Sequence, residues 1–452
     1  MHTVDTIAAL STPPGRSGIG VIRLSGPQSL SIARRLIRDA QFKPAPSQVV
    51  LKSLHDLESG EVLDRALITY FKAPHSFTGE DVLELSCHGS PVLLRQLLDH
   101  ILSLDARPAG PGEFTLRALS NGRLNLSQAE AVRDLINAQT SAAARQAARQ
   151  MNGELSTFLQ PVKEALLDII VPLESSLEFV EDDLPAVALD QLSAKLSDII
   201  GRVEKLAATF QSGRLLRDGL KATLVGRPNV GKSSLFNGLL VSDRAIVTDV
   251  PGTTRDTLSE VINVRGIPVQ LTDTAGVRPS SDQIEALGVE RTRRAIADAD
   301  ILLVVIDNSH PLTPEDEEVL AEVSDSLFLL VYNKSDLPSA EHGISHQSVK
   351  GIHVSAKTGA GLKDLSAAII APFADRDSHD TGLLITDARH HDLLRRAQSS
   401  LTVALESLSR RLSEELILVG LYDALRYLGE ITGETTPDDV LSQIFMTFCI
   451  GK

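Results

Sequence analysis

The sequence predicts a multidomain chain in which a doubly wound α/β domain is inserted into an all-helical one, preceded by a smaller α/β domain. Three changes of texture carry that expectation. Residues 1–120 mix short apolar runs (VIRLSG, RALITYF, DVLELSCHG) with turn-rich pieces such as STPPGRSG, as small α/β domains do. From Leu126, apolar residues recur every three or four positions through LSQAEAVRDLINAQTSAAARQAARQMNGELSTFLQ, which is the helical period, with breaks expected near Gly153 and Pro161. From Lys221 the period shortens. KATLV, VQLTD, ILLVVID, LFLLVYN and GIHVS are brief runs rich in β-branched residues, separated by helical segments. That alternation implies a mostly parallel sheet covered by helices on both faces. Beyond the polar ADRDSHD the helical spacing returns. The expected division is therefore 1–120, 121–217, 218–375 and 376–452, the second and fourth stretches forming one helical domain around the third.

Composition narrows the function classes. With 452 residues, 42% apolar and 23% charged, the chain is an ordinary globular protein of several domains. No run of eighteen apolar residues appears, and MHTVDTIAALSTPPGRSG lacks the basic-then-apolar order of a leader. Two cysteines, Cys87 and Cys449, make neither a disulfide framework nor a four-thiolate zinc site. A cytoplasmic chain is expected. The formal charge of −15 argues against coating nucleic acid by bulk electrostatics and leaves room for a local basic groove.

The chemistry is concentrated between 226 and 357. Gly226-Arg-Pro-Asn229-Val230-Gly231-Lys232-Ser233, followed by Ser234, lies between an apolar strand and a helix-like SSLFNGLL. Glycines let backbone N–H groups wrap phosphate oxygens at a helix start, Lys232 reaches the outer phosphates, and the Ser233 hydroxyl can ligate Mg²⁺. The run VQLTD delivers Asp273 to the magnesium side, with Thr274, Ala275 and Gly276 after it. Asn333, Lys334, Ser335 and Asp336 follow LFLLVY, and Ser355, Ala356 and Lys357 follow GIHV. A carboxylate at Asp336 accepts from guanine N–H groups that adenine does not offer, so the four motifs in order select GTP over ATP. Between the first two lies IVTDVPGTTRD, with Thr248, Asp249, Val250, Pro251, Gly252, Thr253 and Thr254, a switch segment in which Thr253 or Thr254 closes on Mg²⁺. The residue after Gly276 is Val277, which has no amide to orient an attacking water as a Ras-type glutamine does. Some other group must do that work.

GRPNVGKSS, IVTDVPGTTRD, DTAGV and NKSD, taken with TPPGRSGIGVIRLSG, SFTGEDVLEL, PGEFTLRAL and the terminal FCIGK, resemble the MnmE (TrmE) family of tRNA-modification GTPases, of the TrmE-Era-EngA-like class. The likeness covers essentially the whole chain. It implies an N-terminal folate-binding, homodimer-forming α/β domain and a Ras-like G domain inserted into a helical domain. It also implies K⁺-stimulated GTP hydrolysis. With the flavoprotein MnmG (GidA), in a heterotetramer or larger complex, the family adds an aminomethyl or carboxymethylaminomethyl group to the wobble uridine of certain tRNAs. The one-carbon unit comes from 5-formyltetrahydrofolate or a related folate.

By motif match the K⁺ ligands are Asn229, Thr248, Val250 and Thr253, the Mg²⁺ ligands Ser233 and Thr254, and Glu285 orients the water. Arg255 stays a switch residue without an assigned role. The folate residues are Arg23, Glu80, Arg123 (lysine in the family pattern) and Lys452. Cys449 is either a catalytic candidate or a small buried hydrophobe in IFMTFCI, and Cys87 is structural. Arg145, Arg149, Arg389, Arg395, Arg396, Arg410 and Arg411 are candidates for tRNA phosphates, most of them expected to be solvated or ion-paired. Two rivals remain at this level: a ribosome-assembly GTPase, which would need an appended RNA module or second G domain, and a GTP-operated scaffold.

Overall fold

A computed structural model describes residues 5–178, 188–243, 258–274, 294–340, 351–373, 382–434 and 444–451. The chain packs as two units: residues 1–133 with 150–159 and 428–452, and residues 134–149 with 160–427. Among the described residues no helix is long and apolar enough to cross a membrane.

The first unit is built on β1 (Thr6–Leu10), β2 (Ser17–Ser25), β3 (Val49–His55), β4 (Val62–Phe71), β5 (Val82–Gly89) and β6 (Ala106–Pro108). Their order is β3-β4-β5-β2-β1-β6, antiparallel except for the β1–β6 pair. The strand VLDRALITYF shows how the face is chosen: Ala66, Ile68 and Tyr70 point inward while Arg65 and Leu67 stay exposed, as a period of two requires. Helices α1 (Ser29–Leu36) and α2 (Pro91–Leu102) cover the inner face with Ile32, Leu36, Leu94, Leu97 and Ile101. Helix α3 (Glu113–Ser120) follows the last strand, and α4 (Leu126–Asn137) follows it.

Next come α5 (Ser141–Met151), α6 (Glu154–Glu178), α7 (Ala188–Ala208) and α8 (Phe210–Asp218). The expected break at Gly153 is present, where φ is +85°, a left-handed turn that glycine adopts at little cost. The expected break at Pro161 is not. Helix α6 runs through Pro161 and Pro172, because one face buries Leu155, Leu159, Val162, Leu166, Ile169, Ile170 and Leu173. At about 1.5–3 kcal/mol per buried aliphatic side chain, that outweighs the roughly 3 kcal/mol cost of an interior proline.

The second sheet comprises β7 (Leu220–Val225), β8 (Leu258–Val264), β9 (Ile267–Asp273), β10 (Ile301–Asp307), β11 (Phe328–Asn333) and β12 (Ile352–His353). Its order is β12-β11-β10-β7-β9-β8, parallel except for the β8–β9 hairpin. Helices α9 (Lys232–Ser242), α10 (Pro314–Glu322) and α11 (Leu362–Ile370) belong to this α/β segment. Every residue of ILLVVID is buried: Leu303 and Val305 pack with Leu235, Leu239, Leu365 and Ile369, whereas Leu302, Val304 and Ile306 pack with Val323 on the other face. A central parallel strand is apolar throughout because neither face sees water. Chain connections diverge at β7 and β10, so the crevice at their carboxyl ends is where such a sheet holds a ligand. Helices α12 (Ala388–Ser409) and α13 (Glu414–Thr432) close the order, in agreement with the α/β-plus-helical class expected.

One arginine closes the neck of the second sheet's segment with two ion pairs. Arg217, at the end of α8, reaches Asp387 Oδ2 (2.7 Å) and Asp134 Oδ1 (3.1 Å). Asp387 also caps α12, accepting from Arg389 N at 2.8 Å. Burial alone would raise the Asp387 carboxyl; the charges of His390 and Arg217 and the two hydrogen bonds outweigh it and hold it at about 2 against an ordinary 3.8.

Two outcomes follow from this packing. Leu303→Ala, at 0% exposure, should lower stability by about 2–5 kcal/mol in urea unfolding followed by circular dichroism. Because the folded-state value of Asp387 is depressed, its stabilisation is present above pH ~4 and disappears as pH falls through 4 towards 2. Asp387→Asn should therefore cost about 2 kcal/mol at pH 7, with wild type and variant converging by pH 2.

Candidate functional site

The loop after β7 is shaped by close approaches that only glycine permits. At Gly226 (φ +148°) an added Cβ would stand 2.5 Å from Val305 O, and at Gly231 (φ +98°) it would stand 2.4 Å from Asn333 Nδ2. Asn229 is also left-handed, with φ +66°, and is exposed. Helix α9 starts at Lys232, so the N–H groups of its first turn have no carbonyl within the helix to pair with and face the loop. Lys232 spans the loop, donating to Gly226 O (2.6 Å) and Arg227 O (2.9 Å). This is an anion cradle: N–H groups, a helix start and an ammonium converge on one space.

Two further loops are tied to it. Asn333, 2% exposed, donates from Nδ2 to Val230 O (2.9 Å) and accepts at Oδ1 from Ala356 N (3.1 Å). Lys334 donates to Asn229 O (3.2 Å) and to Asp307 Oδ2 (2.6 Å). Burial by itself would raise the Asp307 carboxyl, but Lys334 and Ser309 together hold it well below the usual range. The Ser355 hydroxyl donates to Asp336 Oδ1 (2.7 Å) and keeps that exposed carboxyl ionised below its ordinary value. Asp273, 0% exposed, ends β9, and Thr274 Oγ1 donates to Leu224 O at 2.7 Å.

The carboxyl edge of one sheet thus gathers Asn229, Val230, Gly231, Lys232, Ser233, Ser234, Asp273, Thr274, Asn333, Lys334, Ser335, Asp336, Ser355, Ala356 and Lys357. A cavity of about 910 Å³ opens beside them between α9 and the loop before α11, lined by Ser234, Asn237, Gly238, Ala356, Lys357 and Leu362. Thr248, Asp249, Val250, Pro251, Gly252, Thr253, Thr254, Arg255, Ala275, Gly276 and Glu285 lie outside the described residues.

Sequence reasoning missed three side chains here. Asp307 supports Lys334. Arg227 donates from Nε to Asp316 Oδ2 (3.0 Å), and Asp316 closes the capping box of α10 with Thr313. An acid ending the apolar run ILLVVID, and a Thr-Pro-x-Asp helix start, were the available signals.

The first unit holds a second polar cluster. Arg23 on β2 pairs with Glu84 of β5 at 2.8 Å, donates to Gly451 O (3.4 Å), and lies 5.9 Å and 5.7 Å from the Phe77 and Phe114 ring centres. Glu80 takes the Ser25 hydroxyl (2.6 Å) and Arg117 Nη1 (3.0 Å). Exposed Arg123 passes beside Gly79. The chain end is fastened here as well: Gly112 N donates to Cys449 O (3.3 Å), Ser11 Oγ to Gly451 O (3.1 Å), and Pro111 bridges Ile450. Arg23, Glu80 and Arg123, far apart in sequence, border one loop, Ser76–Glu80, and Lys452 lies outside the described residues. Cys449 is exposed and so is not the small buried hydrophobe. Cys87 is buried, its thiol pushed up to about 12 by burial first and Asp64 second.

The helical arginines are mostly engaged locally. Arg149 donates to Gly382 O, Arg389 to His390, Arg395 to Gln398, and Arg396 and Arg410 pair with Asp392 and Glu406. Arg145 is exposed, and Arg411 holds a left-handed φ of +54°.

Family models match both parts of the chain: "GTP-binding protein TrmE N-terminus" over residues 6–123 and "MnmE helical domain" over residues 126–449. Relatives named tRNA modification GTPase MnmE are similar along the full length. That of Koribacter versatilis is 43% identical over 457 residues, covering 100% of both chains. Those of Aquifex aeolicus and Chloroflexus aurantiacus are 41% and 44% identical, each covering 99% of this chain and 100% of their own. The cradle, the loops tied to it and this likeness from end to end place the chain in the MnmE (TrmE) family of tRNA modification GTPases.

Proposed function

We propose that the chain couples K⁺-stimulated GTP hydrolysis to modification of the wobble uridine of tRNA, acting as a homodimer in the cytoplasm with the flavoprotein MnmG (GidA). The observation that carries the nucleotide reading is the Asn333 bridge, which seats the phosphate loop and the Ser355–Lys357 loop around one space with Asp336 on its rim. Guanine presents an N–H and an amino group side by side, and an ionised carboxylate accepts both.

Ser233 and the buried Asp273 suit the magnesium side, with Thr254 proposed as the second direct ligand. Mg²⁺ supplies charge against the outer phosphate oxygens. Exposed Asn229 offers an amide oxygen to K⁺, and Thr248, Val250 and Thr253 are proposed to complete its ligands; the ion contributes the positive charge an arginine finger would. Glu285 is proposed to orient the water, a role closed to Val277.

For the one-carbon donor, Arg23, Arg123 and Lys452 supply cations for a glutamate tail, Glu80 accepts pterin N–H groups, and Phe77, 37% exposed, gives a flat heterocycle a ring to stack on. Val49, Leu51, Val62 and Leu67 are 44–60% exposed on the outer strands β3 and β4, with Leu51 and Leu67 directly paired. Such an apolar strip supports the homodimer. The boundaries 120, 217 and 375 are proposed as those of the folate-binding domain, the first helical part and the G domain.

Hydrolysis should be several-fold faster in K⁺ than in Na⁺ at equal ionic strength, and equal rates would remove K⁺ from the mechanism. Asp336→Asn should weaken GTP binding about 10- to 100-fold and improve binding of xanthosine triphosphate, whose 2-oxo group needs a donor; fluorescent nucleotide titration reads both. Mixed with MnmG carrying reduced flavin, GTP, Mg²⁺, K⁺, 5-formyltetrahydrofolate, unmodified tRNA and an amine donor (ammonium for the aminomethyl product, glycine for the carboxymethylaminomethyl one), the protein should yield a heavier wobble nucleoside by mass spectrometry, and an unchanged nucleoside would defeat the coupled reading.

A further inference from the structure

We infer that Arg117 is a positioning residue for the one-carbon donor site, acting through Glu80, whose carboxylate it holds as an acceptor for the N–H edge of a reduced pterin. The inference rests on the folate reading above. Arg117 stands in the FTLRAL of α3, beside buried Phe114, Thr115 and Ala118, and is itself 3% exposed. Its Nη1 meets both oxygens of Glu80 (3.3 and 3.0 Å) and Asp5 O (3.0 Å), and its Nη2 meets Asp5 Oδ1 (2.9 Å) and Glu113 Oε1 (3.0 Å). A guanidinium buried to this degree costs several kcal/mol unless it is paired. Glu113, one turn earlier on the same helix, and Asp5 already supply two carboxylates. The reach to Glu80 adds what those two do not: it ties α3 to the Ser76–Glu80 loop.

The other side of Glu80 shows the same direction. Ser25 Oγ donates to Glu80 Oε2 (2.6 Å), and its only proton is used there. The 2.7 Å contact between Ser25 and Thr78 must then have Thr78 as donor. Thr78 Oγ1 in turn accepts from Glu80 N at 3.2 Å. The ring runs one way, from the Glu80 N–H through two hydroxyls to the Glu80 carboxylate. Ser76 Oγ donates to Glu80 O (2.5 Å) and Asn121 Nδ2 to Thr78 O (2.7 Å), which fixes the loop backbone. The contacts from Ser25 and Arg117 both meet the Glu80 carboxylate as an acceptor. Arg23, two residues before Ser25 and so on the same face of β2, stands beside the exposed Phe77 ring. Acceptor, ring and cation form one wall, and α3 holds it through Arg117.

The test is a double-mutant cycle on the full-length protein, with 5-formyltetrahydrofolate titrated calorimetrically into wild type, Arg117→Met, Glu80→Ala and the pair. Each single change should weaken binding about 10- to 100-fold, and the pair should bind no more weakly than Glu80→Ala alone. Arg117→Lys keeps the charge and lacks the planar fork. It should recover only part of the affinity, and it carries the test if Arg117→Met does not fold. Multiplicative losses, or wild-type affinity in Arg117→Lys, would overturn the inference while leaving the folate site standing. If wild type itself binds no folate, both readings fall.

Discussion

The side-chain amide of Asn333 is the contact on which the nucleotide end of the molecule depends. Its donor half takes the carbonyl of Val230 and its acceptor half the N–H of Ala356, so two loops that share no sequence are held at one separation. Buried at 2% exposure, the amide is shielded from competing water and each of its bonds is worth more than it would be at the surface. Gly231 is glycine because of this amide, since a Cβ would stand on it. Lys334, the next residue, adds a strut to Asn229. Asn333, Lys334 and Ser355 thereby link the phosphate loop, Asn229 and the Asp336 carboxylate through a short chain of hydrogen bonds.

The first unit solves a different problem. Its polar residues come from β2, the loop before β5, helix α3 and residues 449–451, and ion pairs centred on the buried Arg117 hold them there. Arg117 and Arg107 between them meet Asp5, Glu80 and Glu113, and burial pulls against the carboxylates of Asp5 and Glu113 while the guanidinium groups hold both below the usual range. Removing these carboxylates would leave Arg117 an unpaired buried charge. That penalty is what makes the geometry strict. The carbonyls of Cys449 and Gly451 are caught in the same place, so residues 449–451 border this polar cluster.

Much of the second sheet could be read in advance from a simple cause. Parallel strands buried on both faces are apolar along their whole length, and a phosphate loop has to be glycine-rich, so ILLVVID and GRPNVGKSS announce themselves. Gly153 was legible as a helix stop for the same reason. Pro161 was misleading, because its local cost is visible in the chain while the seven buried side chains that offset it become apparent only once α6 is packed. Asp307, Arg227 and Asp316 escaped notice because a lone charge in a sequence reads as solvated until its partner is known.

By itself the sequence determined the element types, the order of the nucleotide motifs and the preference for guanine, since each depends on residues close together in the chain. The tertiary structure alone decided which distant groups meet. Arg23, Arg123 and Glu80 each read singly as a surface charge, and only the folded sheet and α3 bring them to one loop. Whether a buried arginine is a flaw or a fixture depends on carboxylates 4, 37 and 112 residues away, and spacing along a chain carries no record of that.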